Sequence, residues 1–267
     1  MKLRFPFRVG TTSYILPDEI LPNVRFLADK VDDVELVLFE SGDLSSIPNA
    51  ETVRELKLLA ADHDLTYTIH LPIDIHTGHA KESERRRAVE ACRYIIDRLE
   101  PASPFGYILH LAGDRRGEEP SADLARWQAL HRDSVRSLLA LVSPDRICIE
   151  NLEYPFEHAA GVVFDLGLSI CCDIGHLLLN GSDVDAHLDR HWPRTRVVHL
   201  HGLADGADHR SVSRLELSFM QNLMQRLRSA GEPDRVVTLE VFAENDLRDS
   251  LRCLARWGLP AEVPGWK

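Results

Sequence analysis

Eight side chains of two chemical kinds recur at comparable places along this 267-residue chain: Glu40, His70, His110, Glu150, Asp173, His199, His201 and Glu240. Each falls near the end of a short apolar run, and no Lys or Arg stands beside them there to neutralise the acids. Carboxylates crowded together repel, and some must take up protons unless a cation supplies the missing charge. A single acid of this kind would serve equally well as a helix cap or an ion-pair partner. Eight oxygen and imidazole donors together point instead to divalent metal. Without thiolates, the donor set suits zinc, manganese or iron better than magnesium or calcium and does not choose among the three.

Those side chains need a scaffold that gathers points far apart in sequence. The runs are RVGTTSY (8–14), VELVLFE (34–40), LTYTIHLP (65–72), GYILHLAG (106–113), RICIEN (146–151), LSICCDIG (168–175), RVVHLHG (196–202) and RVVTLEV (235–241). Longer segments between them, such as ETVRELKLLAADHD and ERRRAVEACRYIIDRLE, carry apolar residues at helical spacing. Eight strand–helix units of about 33 residues each predict an α/β fold, a (β/α)8 TIM barrel occupying 1–267 as one domain. Parallel strands covered on both faces read as continuous apolar runs, so the acids and histidines mark the strands' carboxyl ends, where such a barrel builds its active site. A doubly wound sheet would want a glycine-rich phosphate turn after the first strand, and GTTSYILP offers none.

Composition narrows the partners. The formal charge of -11 argues against a nucleic-acid partner, since phosphate backbones reward clustered Lys and Arg. The basic run Arg85-Arg86-Arg87 lies in a segment of alternating sign that reads as a solvated helix face. No stretch approaches the apolar length of a membrane span, and MKLRFPFRVGTTSY lacks the pattern of a secretory leader. The five cysteines show no zinc-ribbon spacing and read as reduced thiols. A cytoplasmic protein acting on a small molecule, without a membrane partner, is expected.

Glu150, the D-x-x-H of Asp173 and His176, the H-L-H of 199–201 and Glu240 resemble the metal-binding set of the xylose-isomerase-like TIM-barrel superfamily. That superfamily includes sugar isomerases and epimerases and the endonuclease IV type of DNA-repair enzyme. The resemblance implies two alternatives. In the single-metal epimerases the acids act as proton-transfer bases beside one cation, which would make Glu150 and Glu240 catalytic. The endonuclease branch adds histidines after strands three and four, matched by His70 and His110, and a late Asp/His pair, matched by Asp208 and His209 although these are adjacent rather than spaced D-x-H. On that pattern Glu150 bridges two ions, His70 and His110 complete one, and Asp173, His201 and Glu240 hold the second. His176, also a catalytic candidate, serves a third ion with His209, so that the resemblance implies one to three divalent ions, zinc or manganese. The second histidine of the H-L-H is the expected ligand, with His199 as the alternative.

The N-terminal stretch GTTSYILPDEILPNVRFLADKVDDVELVLFES resembles the cobamide-remodelling phosphodiesterases of the same superfamily. This implies a metal-dependent phosphodiesterase opening the nucleotide loop of adenosylcobamides to give a cobinamide phosphate, with Thr11, Ser13, Tyr14 and Glu40 near substrate. The polar segment IDIHTGHAKES adds His76 and His79 as candidates for substrate contact or leaving-group protonation. The alternatives are a divalent-metal-dependent sugar or sugar-phosphate isomerase or epimerase, and a non-catalytic metal or corrinoid carrier.

Overall fold

Alternation along each strand decides what faces the barrel axis, because successive side chains point to opposite faces of a sheet. The computed structural model describes residues 2–39, 47–117, 119–204, 206–229 and 234–258. Eight parallel strands close into a barrel: β1 (Arg8–Thr12), β2 (Asp33–Val37), β3 (Thr66–His70), β4 (Gly106–Leu109), β5 (Ile147–Glu150), β6 (Ser169–Asp173), β7 (Thr195–Leu200) and, last in the chain, β10 (Val236–Leu239). The circuit closes where β1 pairs with β2 on one side and β10 on the other. This is the (β/α)8 barrel that the alternating pattern predicts.

The helices follow the same rhythm: α1 (Ile20–Leu27), α2 (Ala50–His63), α3 (Glu82–Leu99), α4 (Leu124–Leu138), α5 (Glu157–Leu166), α6 (Ile174–Leu179), α7 (Val184–His191), α8 (Leu217–Ser229) and α9 (Glu244–Gly258). None is long and apolar enough to cross a membrane, among the described residues. Two apolar layers result. Tyr107, Leu109, Ile147, Ile149, Ile170, Cys172, Val198 and Leu200 belong to the large core between sheet and helices. Ile108, Cys148, Cys171 and Val197 form a separate small cluster inside the barrel.

Two-residue periodicity extends that inner face to the mouth. Ile108 leads to His110, Cys148 to Glu150, Cys171 to Asp173, and Val197 to His199 and then His201, so each site candidate is the inward-facing residue at its strand end. The pairing of Asp173 with His199 across β6 and β7 places two of them side by side.

Two local features depart from the expected elements. The run expected over 168–175 stops as a strand at Asp173, because the Asp173 carboxylate accepts the His176 N–H at 2.7 Å and caps α6. After β7 the chain forms an antiparallel ribbon, β8 (Gly202–Ala204) with β9 (Ala207–Arg210), in which Gly206 adopts a left-handed φ of +78°. That ribbon carries Asp208 and His209.

Candidate metal centre at the barrel mouth

Glu150 occupies the middle of the mouth and is 1% exposed. Its Oε2 lies 3.1 Å from His110 Nε2 and 3.3 Å from His70 Nε2, while Oε1 faces His176 Nδ1 at 3.4 Å. The two carboxylate oxygens therefore address different histidines. His70 is oriented from behind by its Nδ1–H, which donates to the Leu71 carbonyl at 2.9 Å. Burial would raise the Glu150 pKa, but the charges of His110 and His199 and the hydrogen bonds of His110 and His176 hold it well below the usual carboxylate range.

Asp173, Glu240, His199 and His201 complete the floor. Asn151 fixes the Asp173 backbone with two hydrogen bonds, its Nδ2 donating to the Asp173 carbonyl at 2.9 Å and its Oδ1 accepting the Asp173 N–H at 2.8 Å. With Asp173 capping α6, His176 Nδ1 comes 3.1 Å from Asp173 Oδ2. His199 Nδ1 points at three acids: Glu240 Oε2 at 3.3 Å, Glu150 Oε2 at 3.7 Å and Asp173 Oδ2 at 3.8 Å. His201 Nε2 lies 3.2 Å from Asp173 Oδ1 and 3.9 Å from Glu240 Oε2. Its ring fills the space beside Gly175, where an added Cβ would fall 2.0 Å from His201 Cε1.

The second nitrogen of each imidazole has a different kind of partner in His199 and His201. His199 Nε2 is 2.9 Å from Glu35 Oε2, and both residues are fully buried. A carboxylate there keeps a proton on Nε2, so Nδ1 is the nitrogen a cation would take. Burial opposes charging the ring, but Cys171, Glu35, Glu240 and Glu150 together hold the His199 pKa well above its ordinary value, and in the metal-free protein Nδ1 carries the proton that a cation would displace. In His201 the arrangement is inverted, because Nδ1 accepts the His209 N–H at 3.0 Å. Burial lowers the His201 pKa while Asp173 and Glu240 raise it, for a net upward shift. The His209 amide nevertheless occupies Nδ1, so the ring carries one proton, on Nε2.

Several of these atoms are buried without a hydrogen-bond partner: Asp173 Oδ2, His176 Nδ1, His199 Nδ1, His201 Nε2, Glu240 Oε2 and Glu35 Oε1. Unsatisfied polar atoms are costly in a dry interior, and a convergent group of them calls for an ion or protons. His70, His110 and Glu150 form one candidate metal-ligand group, Glu150, Asp173 and His176 another, and His176, His201 and His209 a third. The donor chemistry fits divalent cations, zinc among them.

The remaining candidates are distributed around this centre. His209 sits at the third group with a left-handed φ of +53°, its Nδ1 3.2 Å from the Glu240 carbonyl and its Nε2 3.8 Å from Asp208 Oδ2. The Thr11 hydroxyl donates to the Leu239 carbonyl at 2.8 Å, and Ser13 Oγ accepts the Val37 N–H at 3.2 Å, so both tie neighbouring strands together. Tyr14 is half-buried and packs edge-on against Phe39. Glu40 lies outside the described residues. His76 and His79 pack against each other in the loop after β3, with His76 Nε2 3.8 Å from Asp114. That loop is anchored by the buried His131 of α4, whose Nδ1 pairs with the Thr77 hydroxyl at 2.7 Å and whose Nε2 pairs with the Ala112 carbonyl at 3.1 Å.

Glu35 and Asn151 are the functional candidates that sequence patterning passes over. Glu35 is a charged residue inside the run VELVLFE, two positions after the buried Asp33 that opens β2, and a carboxylate flanked by Val34 and Leu36 was a usable signal. Asn151 follows Glu150 directly and carries no pattern of its own.

A closed parallel barrel with acids and imidazoles converging at one mouth defines a (β/α)8 barrel carrying candidate metal-ligand groups. The chain belongs to the xylose isomerase-like TIM barrel family, whose model matches residues 28–257. Among solved structures it is similar to a D-tagatose 3-epimerase-like protein, with 18% identity, 94% of this chain and 96% of that chain covered, and a TM-score of 0.76. It is also similar to endonuclease IV from Thermus thermophilus, with 18% identity, coverage of 94% and 98%, and a TM-score of 0.68. A third is the IOLI protein with a binding zinc atom, with 12% identity, coverage of 94% and 95%, and a TM-score of 0.66. At such identities the likeness is one of fold. No curated protein matches the sequence significantly.

Proposed function

We propose that the protein is a metal-dependent phosphodiesterase acting on a small phosphodiester, with more than one divalent cation at the barrel mouth. The carrying observation is the division of Glu150, whose Oε2 meets His70 and His110 while its Oε1 meets His176. Together with Asp173, His199 and Glu240, these residues offer more donors than one four-coordinate ion takes. His70, His110 and Glu150 would hold one cation, and Glu150, Asp173, His199 and Glu240 a second. His176 and His209, with Asp208 beside them, would hold a third.

Cations bound there would supply Lewis acidity, neutralising a phosphodiester's non-bridging oxygens and making an attacking water more acidic. The protein's own contribution is orientation. Glu35 holds His199, Leu71 holds His70, and Asn151 holds Asp173, while the buried floor excludes bulk water. His201, with its proton on Nε2 facing Asp173 Oδ1 at 3.2 Å, would balance the charge of that acid rather than ligate. The N-terminal resemblance makes the nucleotide loop of an adenosylcobamide the favoured substrate within this class.

Metal analysis giving two or three equivalents, and turnover of bis-p-nitrophenyl phosphate abolished by Glu150→Gln, are the expected results. One equivalent and no diester cleavage would overturn the proposal. A second possibility is a sugar epimerase, supported by the nearness of two carboxylates at the mouth, Glu150 Oε2 3.7 Å and Glu240 Oε2 3.3 Å from His199 Nδ1, and by the epimerase-like protein among the structural neighbours. Two carboxylates so placed suit removal and return of one proton on a sugar. Solvent deuterium exchange into a ketose at one metal equivalent would favour it.

A further inference from the structure

We propose that Tyr14, Phe39 and Phe242 form an aromatic shelf beside the metal centre that binds a planar aromatic group of the substrate; this rests on the barrel mouth being the active site. The three rings follow β1, β2 and β10, which are neighbours around the barrel. Tyr14 meets Phe39 edge-on with centroids 4.7 Å apart, and Phe39 lies 6.3 Å from Phe242. Phe242 packs on His209 at 5.1 Å, and His209 on His201 at 4.4 Å. A continuous line of rings therefore leads from the rim into the acid cluster.

Phe39 is 38% exposed and Phe242 36%. Single exposed apolar side chains are ordinary, and Leu58, Tyr94, Phe164, Leu179 and Leu217 are such cases on separate helices. Two exposed phenyl rings in one group, continuous with a cluster of candidate metal ligands, make a surface built for a ligand. Its chemistry selects the occupant. The Phe39 and Phe242 rings neither donate nor accept conventional hydrogen bonds, and only the Tyr14 phenol can, so hydroxyls of a bare polyol laid against the two phenyl rings would lose water without replacement. An aromatic or heteroaromatic ring gains from offset or edge contacts, about 0.5–1.5 kcal/mol per ring pair. The substrate class is thus a molecule whose reacting group enters the acid cluster and whose aromatic substituent lies along β10, β1 and β2.

Binding of two ligand pairs to the zinc-loaded protein, measured by calorimetry, tests this: phenylphosphonate against methylphosphonate, and phenyl against methyl β-D-glucopyranoside. In at least one pair the phenyl member should bind about tenfold more tightly. The double variant Phe39→Ala/Phe242→Ala should narrow that ratio to within about twofold, while Phe164→Ala, which removes an exposed ring on α5, keeps the wild-type ratio. If the alanine variant loses its metal or its cooperative melt, Phe39→Leu/Phe242→Leu replaces it, keeping bulk without the rings. A wild-type ratio near one, a ratio unchanged in the double variant, or no binding in either pair overturns the shelf. Phenyl preference confined to the glucosides would uphold the shelf and sink the phosphodiester proposal.

Discussion

Replacing Glu35 by Gln isolates the hydrogen bond behind His199 from the rest of the centre. Glu35 Oε2 and His199 Nε2 are 2.9 Å apart and fully buried, so the interaction is charge-assisted and unscreened by water. Gln keeps the volume and one acceptor oxygen but removes the charge that makes His199 Nδ1 more basic. Loss of a carboxylate behind a ligating histidine weakens metal affinity by about 10–100-fold, or roughly 1.4–2.8 kcal/mol. The assay is a zinc titration against a chromophoric chelator, with elemental analysis for stoichiometry. One equivalent should weaken by that factor in Glu35→Gln, and the same equivalent should vanish in His199→Ala. His201→Gln should keep all equivalents, because the His209 amide leaves His201 with its proton on Nε2. If Glu35→Gln binds like the wild type while His201→Gln loses an equivalent, the two histidines have been assigned the wrong way round.

The metal-free protein should lose stability as pH rises from about 7 to 10. Burial lowers the His70 and His176 pKa values, but hydrogen bonds and charge from Glu150, with Asp173 adding to His176, lift them to about 9 and about 10. Protonation therefore stabilises the folded state fully below the unfolded value near 6.5, and the effect is lost as pH climbs through the folded values. Thermal melts without metal should show the decline, zinc should bind more tightly over the same interval as it displaces those protons, and a flat pH profile would contradict the assignment. Gly175→Ala drives a methyl into the His201 ring and should destabilise by about 1–3 kcal/mol, read by urea unfolding. Asn151→Leu removes two hydrogen bonds from the Asp173 backbone and should cost about 2 kcal/mol or more, with weaker metal binding measured alongside.

The barrel was legible because its signal is repeated and physical. Strands buried on both faces write themselves as apolar runs, and eight such runs leave little choice of topology. Element ends were less legible where one side chain decides them: Ile174 and Gly175 read as part of the strand until the carboxylate of Asp173, the last residue of β6, is seen capping α6. Convergence of His70, His110, Glu150, Asp173, His199, His201 and Glu240 was expected from their places at the carboxyl ends of the strands, where a barrel gathers distant parts of the chain; periodicity added only that His199 and His201 share a face. Glu35 escaped because attention to strand ends overlooks a charge in mid-strand, yet a carboxylate on the inward face of β2 needs a partner as much as one at the rim.

The choice between His199 and His201 shows a limit of a different kind. Both are inward-facing, both are fully buried, and both sit beside the same acids, so neither residue type nor spacing separates them. What distinguishes them is the group at the far nitrogen: a carboxylate contributed by β2 for one, a backbone amide contributed by β9 for the other. An acceptor there frees a lone pair toward the centre, whereas a donor there consumes it. Since the amide belongs to His209, held at positive φ in the β8–β9 ribbon, the ribbon's conformation fixes the protonation of His201 at the same time as it brings the His209 ring to the mouth. The two histidines differ chemically because of tertiary partners 164 and 8 positions away in sequence.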